Sequence, residues 1–271
     1  MKAIQLNTPI VSVDWLNSNK DASNLIVLDA TINKIIDSNS ERILNARFFD
    51  IKKKFSDVSA PFPSTLPSKE QFQTEAQHLG INKDSCIVVY DDRGVYSSAR
   101  VWWLFKVFGF NNVAILDGGL PECTLQNFPV NSYVNETYQR GNITVEFNPE
   151  LMTNFEGLNQ FIKDPNVLIV DARSEARFKC LVDEPREGLR RGTIPNSKNL
   201  PFTDLFNGNI FKPITQLSEI FSNLEIENRT LLFSCGSGIT ACVVALAATL
   251  CDYKDLIVYD GSWTEYGSLT D

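Results

Sequence analysis

Histidine is almost missing from this chain: His78 is the single one among 271 residues. One imidazole is a poor supply of ligands for a metal centre, and none of the six cysteines has the C-x-x-C spacing of a zinc site. Neither a metal nor another cofactor is expected. Basic residues are also in deficit, with 25 Lys and Arg against 33 Asp and Glu and a formal net charge of −8. That balance argues against a general affinity for nucleic acid or an anionic membrane. Long apolar runs are absent as well. The longest near-apolar stretch, Ala241 to Cys251, is far short of the about 20 residues a membrane span requires, and it predicts a buried helix. Residues Met1 to Asn7 lack the apolar segment and small-residue cleavage site of a secretory signal. A cytoplasmic protein with reduced thiols is therefore expected, despite the even cysteine count.

What is present is the composition of an ordinary globular chain, 43% hydrophobic and 21% charged, long enough for two domains. Six short runs rich in Val, Ile and Leu stand out: Leu25 to Asp29, Ile87 to Asp91, Val113 to Asp117, Leu168 to Asp171, Leu231 to Ser234 and Leu256 to Asp260. They are apolar without alternation, as strands buried on both faces of a parallel sheet are. Helical patterns such as Ser97 to Phe108 and Ile239 to Leu250 lie between them. This alternation predicts an α/β fold with open, mostly parallel sheets, whose ligands bind beyond the carboxyl ends of the strands.

The runs form two sets of three. Asp171 lies 142 residues after Asp29, Cys235 143 after Asp92, Asp260 143 after Asp117, and Leu158 142 after Leu16. The chain thus reads as an internal duplication, with an N-terminal domain over 1–125, a polar linker over 126–142 and a C-terminal domain over 143–271. The copies differ where chemistry belongs. Cys235-Gly236-Ser237-Gly238-Ile239-Thr240 in the second copy stands against Asp92-Arg93-Gly94-Val95-Tyr96-Ser97 in the first, so a carboxylate replaces a nucleophile. The second copy also carries an insertion from Leu181 to Gly192 with Arg186, Arg190 and Arg191. Only the second copy is expected to be active.

A cysteine between a buried strand and a helix puts its sulfur at the mouth of a loop whose backbone N–H groups can converge on it. The helix N-terminus adds partial positive charge, which suits a thiolate or a persulfide anion. Gly236 and Gly238 supply the close approach and positive φ that such a loop needs. Ser237 and Thr240 add hydroxyl donors.

These residues resemble the tandem-domain rhodanese sulfurtransferases over essentially the whole chain. The resemblance rests on the Cys235 to Thr240 loop, Val170-Asp171-Ala172-Arg173-Ser174 with Arg177-Phe178, Asp183 to Gly188, Ile194-Pro195-Asn196-Ser197 and Asp260 to Gly267. In the first copy Arg100 to Phe105 and Leu116-Asp117-Gly118-Gly119 share it. It implies two rhodanese-like domains, the first noncatalytic. It also implies that Cys235 takes sulfur as a persulfide and passes it to an acceptor: thioredoxin, a small thiol or cyanide. The neutral Gly-Ser-Gly after the cysteine resembles the branch that uses 3-mercaptopyruvate, whereas thiosulfate-preferring members have basic residues there. The family's substrate arginines fall on Arg177 and Arg186, and the loop residues Gly236, Gly238, Ile239 and Thr240 complete the expected binding set around Cys235 and Ser237.

The chain departs from the pattern at two positions: Arg42 and Thr193 stand where the family often has histidine, so the relay proposed through the first of these is missing. A phosphatase-type C-x5-R cradle ranks far below sulfur transfer, because Ala241 occupies the arginine position. Thiosulfate sulfurtransferase and a noncatalytic rhodanese-like binding module remain the alternatives. Cys180, Cys242 and Cys251 read as bystander or packing residues, and Trp102, Trp103, Phe105 and Phe108 as a packed helix face.

Overall fold

The computed structural model describes residues 2–37, 40–133, 136–226 and 228–271. Its chain divides into two compact units. One comprises Met1–Val58, Leu66–Asn148 and Gly208–Ile210, and the other Ser59–Thr65, Pro149–Asn207 and Phe211–Asp271.

The first unit contains strands β1 (Ile10–Val11), β2 (Leu25–Asp29), β3 (Glu41–Ile43), β4 (Arg47–Phe48), β5 (Cys86–Tyr90), β6 (Val113–Leu116) and β7 (Val130–Ser132). Its helices are α1 (Val13–Asn19), α2 (Lys69–His78), α3 (Ser98–Val107) and α4 (Gly119–Leu125). Five strands form a parallel sheet in the order β1-β6-β5-β2-β4. The second unit repeats this with β8 (Met152–Thr153), β9 (Val167–Asp171), β10 (Ser197–Asn199), β13 (Thr230–Ser234) and β14 (Leu256–Tyr259), ordered β8-β14-β13-β9-β10 and again all parallel. Its helices are α5 (Phe155–Phe161), α6 (Glu175–Phe178), α7 (Ile214–Ser222), α8 (Ala241–Leu250) and, after the last strand, α9 (Ser262–Leu269); a short pair β11 (Phe206–Asn207) and β12 (Ile210–Phe211) precedes α7 in the chain. The six apolar runs are the central strands, as their lack of alternation requires.

Helix starts follow local capping chemistry. Ser12, Ser68 and Asn154 accept from the backbone N–H three residues on, satisfying donors that the first turns of α1, α2 and α5 leave open. Helix α8 is apolar on every side, with eight of its ten residues buried, which accounts for the longest apolar run as a core helix. Among the described residues no helix is long and apolar enough to cross a membrane.

The linker reading is corrected. The stretch 126–142 belongs to the first unit, because β7 pairs antiparallel with β3, Tyr133 Oη donates to Asp29 at 2.6 Å, and the Gly141 N–H reaches the Gln77 carbonyl at 2.8 Å. Its residues 134 and 135 lie outside the described residues. Polar composition suggested a spacer, but these polar groups are spent on pairing.

Arg42, at a position where the family often has histidine, is held inside the first unit. It is 2% exposed, and its guanidinium donates to Glu136 at 2.6 and 3.2 Å and to the Ala46 carbonyl. The hydrogen bond to Glu136 holds the Arg42 pKa above its ordinary value despite burial. The aromatic face of α3 packs as expected: Phe72 of α2 stacks on Phe108 at 4.3 Å and meets Phe105 edge-on at 5.2 Å. Phe72 is fully buried, so Phe72→Ala should cost about 3–5 kcal/mol of stability, read as a lower urea midpoint with an unchanged far-ultraviolet spectrum before the transition.

Candidate active site

Strands β9 and β13 run in parallel register, with Ser234 opposite Asp171. Cys235 is therefore the first residue beyond the carboxyl end of a central strand, where open α/β sheets present their chemistry. Its side chain is almost wholly covered, at 1% exposure. The loop from Cys235 to Thr240 then turns into α8.

Helix α9 fixes that loop. The Trp263 N–H donates to the Cys235 carbonyl at 2.9 Å, and the Thr264 N–H and hydroxyl donate to the Gly236 carbonyl at 2.9 and 2.5 Å. These first-turn N–H groups would otherwise lack partners. The Ser262 hydroxyl accepts from the Cys235 and Gly238 N–H groups at 3.0 and 3.1 Å, donates to the Tyr259 carbonyl at 3.0 Å, and stands 3.9 Å from the Cys235 sulfur. The N–H groups of Gly236, Ser237, Ile239 and Thr240 have no acceptor among the described residues. Four open donors in a six-residue loop make a cradle for negative charge.

The first unit shows the same loop already filled. Tyr90 stands opposite Asp29 as Ser234 does opposite Asp171, which makes Asp91 the counterpart of Cys235. The Leu120 N–H donates to the Asp91 carbonyl as Trp263 does to Cys235, with the same result. The expectation of Asp92 in that place is therefore corrected to Asp91; the first loop holds one more residue before its helix, which the constant spacing hid. The Asp91 carboxylate accepts from the N–H groups of Arg93, Tyr96 and Ser98 at 2.8–2.9 Å and from the Ser98 hydroxyl at 2.7 Å.

The two glycines after the cysteine serve different ends. Gly238 has φ +73°, a left-handed conformation that disfavours other residues. Gly236 has no such angle; a Cβ there would lie 3.0 Å from Nη2 of Arg177. Its role is to let the guanidinium lie against the cysteine loop. Arg177 comes from the last turn of α6, and its Nη2 and Nε donate to Glu184 at 2.5 and 3.3 Å. Glu184 also accepts from Arg173 at 2.8 Å, and Arg173 in turn grips both oxygens of Asp171. Burial draws the Arg173 pKa down, but Asp171 and Glu184 outweigh it and raise it overall.

The expected site residues do not all arrive together. Cys235, Gly236, Gly238 and Arg177 form one cluster. Ile239 and Thr240 are 4% and 9% exposed, and offer backbone N–H groups more than side chains. The half-buried Ser237 hydroxyl has no partner among the described residues. Arg186 is exposed in the insertion, without an ion-pair partner there. Arg190 and Arg191 are structural: Arg190 binds Thr270 and lies over the Trp263 ring at 4.8 Å, and Arg191 pairs with Asp183. Cys242 is buried, its thiol donating to the Gly238 carbonyl, while Cys180 is half-buried in a loop. Burial pushes the core thiols Cys86 and Cys123 up to about 11 and about 12.

Sequence reasoning passed over Ser262. It has φ +50° and its counterpart in the first unit is Gly119, with φ +52°. A serine kept in a glycine conformation costs on the order of 1 kcal/mol, and its hydroxyl orders two loop N–H groups in return. The Gly119 to Ser262 exchange between the copies was the available signal. Ser262→Gly should relax the backbone yet lower kcat about tenfold by loosening the loop, a split that paired thermal melts and steady-state rates will show.

Two segments of the chain, residues 12–125 and 155–269, match the Rhodanese-like domain family. Over 273 residues the chain is 34% identical to the 3-mercaptopyruvate sulfurtransferase of Escherichia coli K12, covering 97% of this chain and 96% of that one. It is also 34% identical to the thiosulfate sulfurtransferase of Mus musculus, covering 95% and 91%. A solved 3-mercaptopyruvate sulfotransferase structure from Escherichia coli superposes with a TM-score of 0.83 at 32% identity, covering 95% of this chain and 99% of that one. Two matched domains, a shared fold and similarity along the full length establish that the chain belongs to the tandem-domain rhodanese sulfurtransferases and is related to the 3-mercaptopyruvate enzymes.

Proposed function

We propose that this chain moves sulfur from 3-mercaptopyruvate through a persulfide on Cys235 to a thiol acceptor or cyanide. The observation that carries the reading is the difference between the two loops. A carboxylate fills the cradle in the first unit, whereas in the second the corresponding donors are open around a cysteine. The open cradle suits a sulfur that must bear charge twice, as attacking thiolate and as departing thiolate.

In the first half-reaction the Cys235 thiolate attacks the donor sulfur. An S–S bond forms, the C–S bond breaks, and the electron pair leaves on the methylene carbon as the enolate of pyruvate. The donor's own thiol proton, passed through water or the Ser237 hydroxyl, completes pyruvate, so no histidine is required. In the second half-reaction an acceptor thiolate, on a small thiol or a thioredoxin-like protein, or cyanide attacks the outer sulfur and releases Cys235. The first unit takes no covalent part.

Two observations favour mercaptopyruvate over thiosulfate. Gly236-Ser237-Gly238 presents no cation to a compact dianion, while Arg177 beside the loop and the unpaired Arg186 suit a carboxylate carried away from the reacting sulfur. Sequence identity does not separate the donors, since relatives of both kinds stand at 34%.

Cys235→Ser should abolish transfer with the fold retained. Intact-mass measurement after incubation with mercaptopyruvate should find one added sulfur on the parent and none on the variant; a parent that never gains sulfur would favour a binding module. A hydrogen bond to a charged group contributes about 1.5–3 kcal/mol. Arg186→Ala should therefore lower kcat/KM for mercaptopyruvate by roughly one to two orders of magnitude, and for thiosulfate less. A parent that prefers thiosulfate, or equal losses with both donors, would reassign the donor.

A further inference from the structure

The chain of charges behind Arg177 has no counterpart among the described residues of the first unit, although the fold there is the same. Asp29, the equivalent of Asp171, is satisfied by Lys34 at 2.7 Å, by the Tyr90 and Tyr133 hydroxyls at 3.1 and 2.6 Å, and by the Thr31 N–H. At the spacing that relates Asp29 to Asp171, Arg177 corresponds to Ile35, which is 83% exposed. The strand end can thus be completed without any residue like Glu184 or Arg177. In the second unit the charges alternate outward from Asp171 through Arg173 and Glu184 to Arg177, and only the last side chain reaches the surface. The Asp171, Arg173 and Glu184 side chains are 1%, 0% and 1% exposed, and that of Arg177 24%.

Glu184 takes one edge of the Arg177 fork. Its two oxygens receive Nε and Nη2, which leaves the Nη1–Nη2 end for another acceptor. That end lies nearest the cysteine loop, with Nη2 and Nη1 at 3.0 and 3.7 Å from the place where a Gly236 Cβ would stand. Arg177 has no other partner among the described residues. Glu184 therefore does two things at once: it fixes which edge of Arg177 faces the cysteine loop, and it offsets the guanidinium charge.

We propose that Glu184 is a positioning residue that selects the sulfur donor, turning Arg177 from a bare cation into an oriented two-pronged hydrogen-bond donor over the Cys235 loop. This rests on the reading that Arg177 holds the donor. A 2-oxo acid carboxylate gains from fixed geometry, because two parallel N–H···O bonds orient the sulfur it carries. A compact dianion gains chiefly from net charge, which Glu184 removes. The residue thus favours the first kind of donor and disfavours the second.

The experiment compares kcat and KM for mercaptopyruvate and thiosulfate in the parent, Glu184→Gln, Glu184→Asp, Arg177→Lys and the Arg177→Lys/Glu184→Gln double variant, with thermal melts for each. Glu184→Gln keeps the size and loses the charge. It should lower mercaptopyruvate kcat about tenfold while lowering the thiosulfate KM several-fold, and the latter gain should shrink as ionic strength rises. Glu184→Asp keeps the charge and loses the reach, and should lower mercaptopyruvate kcat without improving thiosulfate. In the Arg177→Lys background, adding Glu184→Gln should change the donor ratio little, because the fork through which Glu184 acts is gone. Equal fractional losses for both donors, tracking the melts, would make Glu184 merely structural and overturn the proposal. An undiminished shift in donor ratio within the Arg177→Lys background would overturn it too. A parent that uses thiosulfate alone would overturn the donor reading and leave the thiosulfate arm to judge Glu184; a parent that uses neither donor overturns both.

Discussion

The second unit depends on one anchoring: the first turn of α9 holds the carbonyl side of the cysteine loop. A helix start needs acceptors for its N–H groups, and a loop that must expose its own N–H groups needs its carbonyls tied elsewhere. Trp263, Thr264 and Ser262 meet both needs. The loop that carries Cys235 thereby keeps four backbone donors open among the described residues. The anchoring is steadied from behind, since the Trp263 indole N–H donates to the Arg190 carbonyl and Arg173 lies over its ring at 4.8 Å. Helix α9, the insertion and the strand end form one connected support.

The duplicated unit serves as an internal control on that arrangement. It keeps the strand order, the register at the strand ends, the helix-to-loop bond from Leu120 to Asp91, and even the positive φ at Gly119. What changes is the occupant. Asp91 places a side-chain acceptor where Cys235 places a sulfur, so the loop donors are taken in one unit and open among the described residues of the other. The same comparison separates charge that only completes a strand end from charge carried on to the cysteine loop. Asp29 and Asp171 are both buried and both satisfied, but only the satisfaction of Asp171 extends outward to an arginine beside the loop.

A good deal of this was legible in the chain. Uninterrupted apolar runs at near-constant spacing announced the parallel strands and the duplication, because a strand buried on both faces cannot alternate. Cys235 was legible for a related reason: a cysteine between such a strand and a Gly-x-Gly turn has one place to go. The spacing failed where the copies differ in length. One extra residue in the first loop moved the cysteine counterpart from Asp92 to Asp91, and only strand register, which counts hydrogen-bonded partners instead of positions, revealed it. The polar stretch 126–142 misled because polarity marks a spacer and a paired edge segment alike; its partners in β3 and Asp29 lie about 90 to 100 residues away in sequence.

Local order alone determined the fold class, the repeat, the place of Cys235 just beyond a buried strand and the left-handed turn at Gly238, since each follows from side-chain period or from the steric freedom of a residue and its neighbours. The tertiary structure decided the rest. It put Arg177 against Gly236, spent Arg190 and Arg191 on packing, left Arg186 without an ion pair among the described residues, buried Arg42 on Glu136, tied Ser262 to the cysteine loop and set Glu184 behind Arg177. The physical reason is that a hydrogen bond or ion pair depends on distance and direction between groups brought together by folding, and an arginine reads the same in a sequence whether its fork is taken or open.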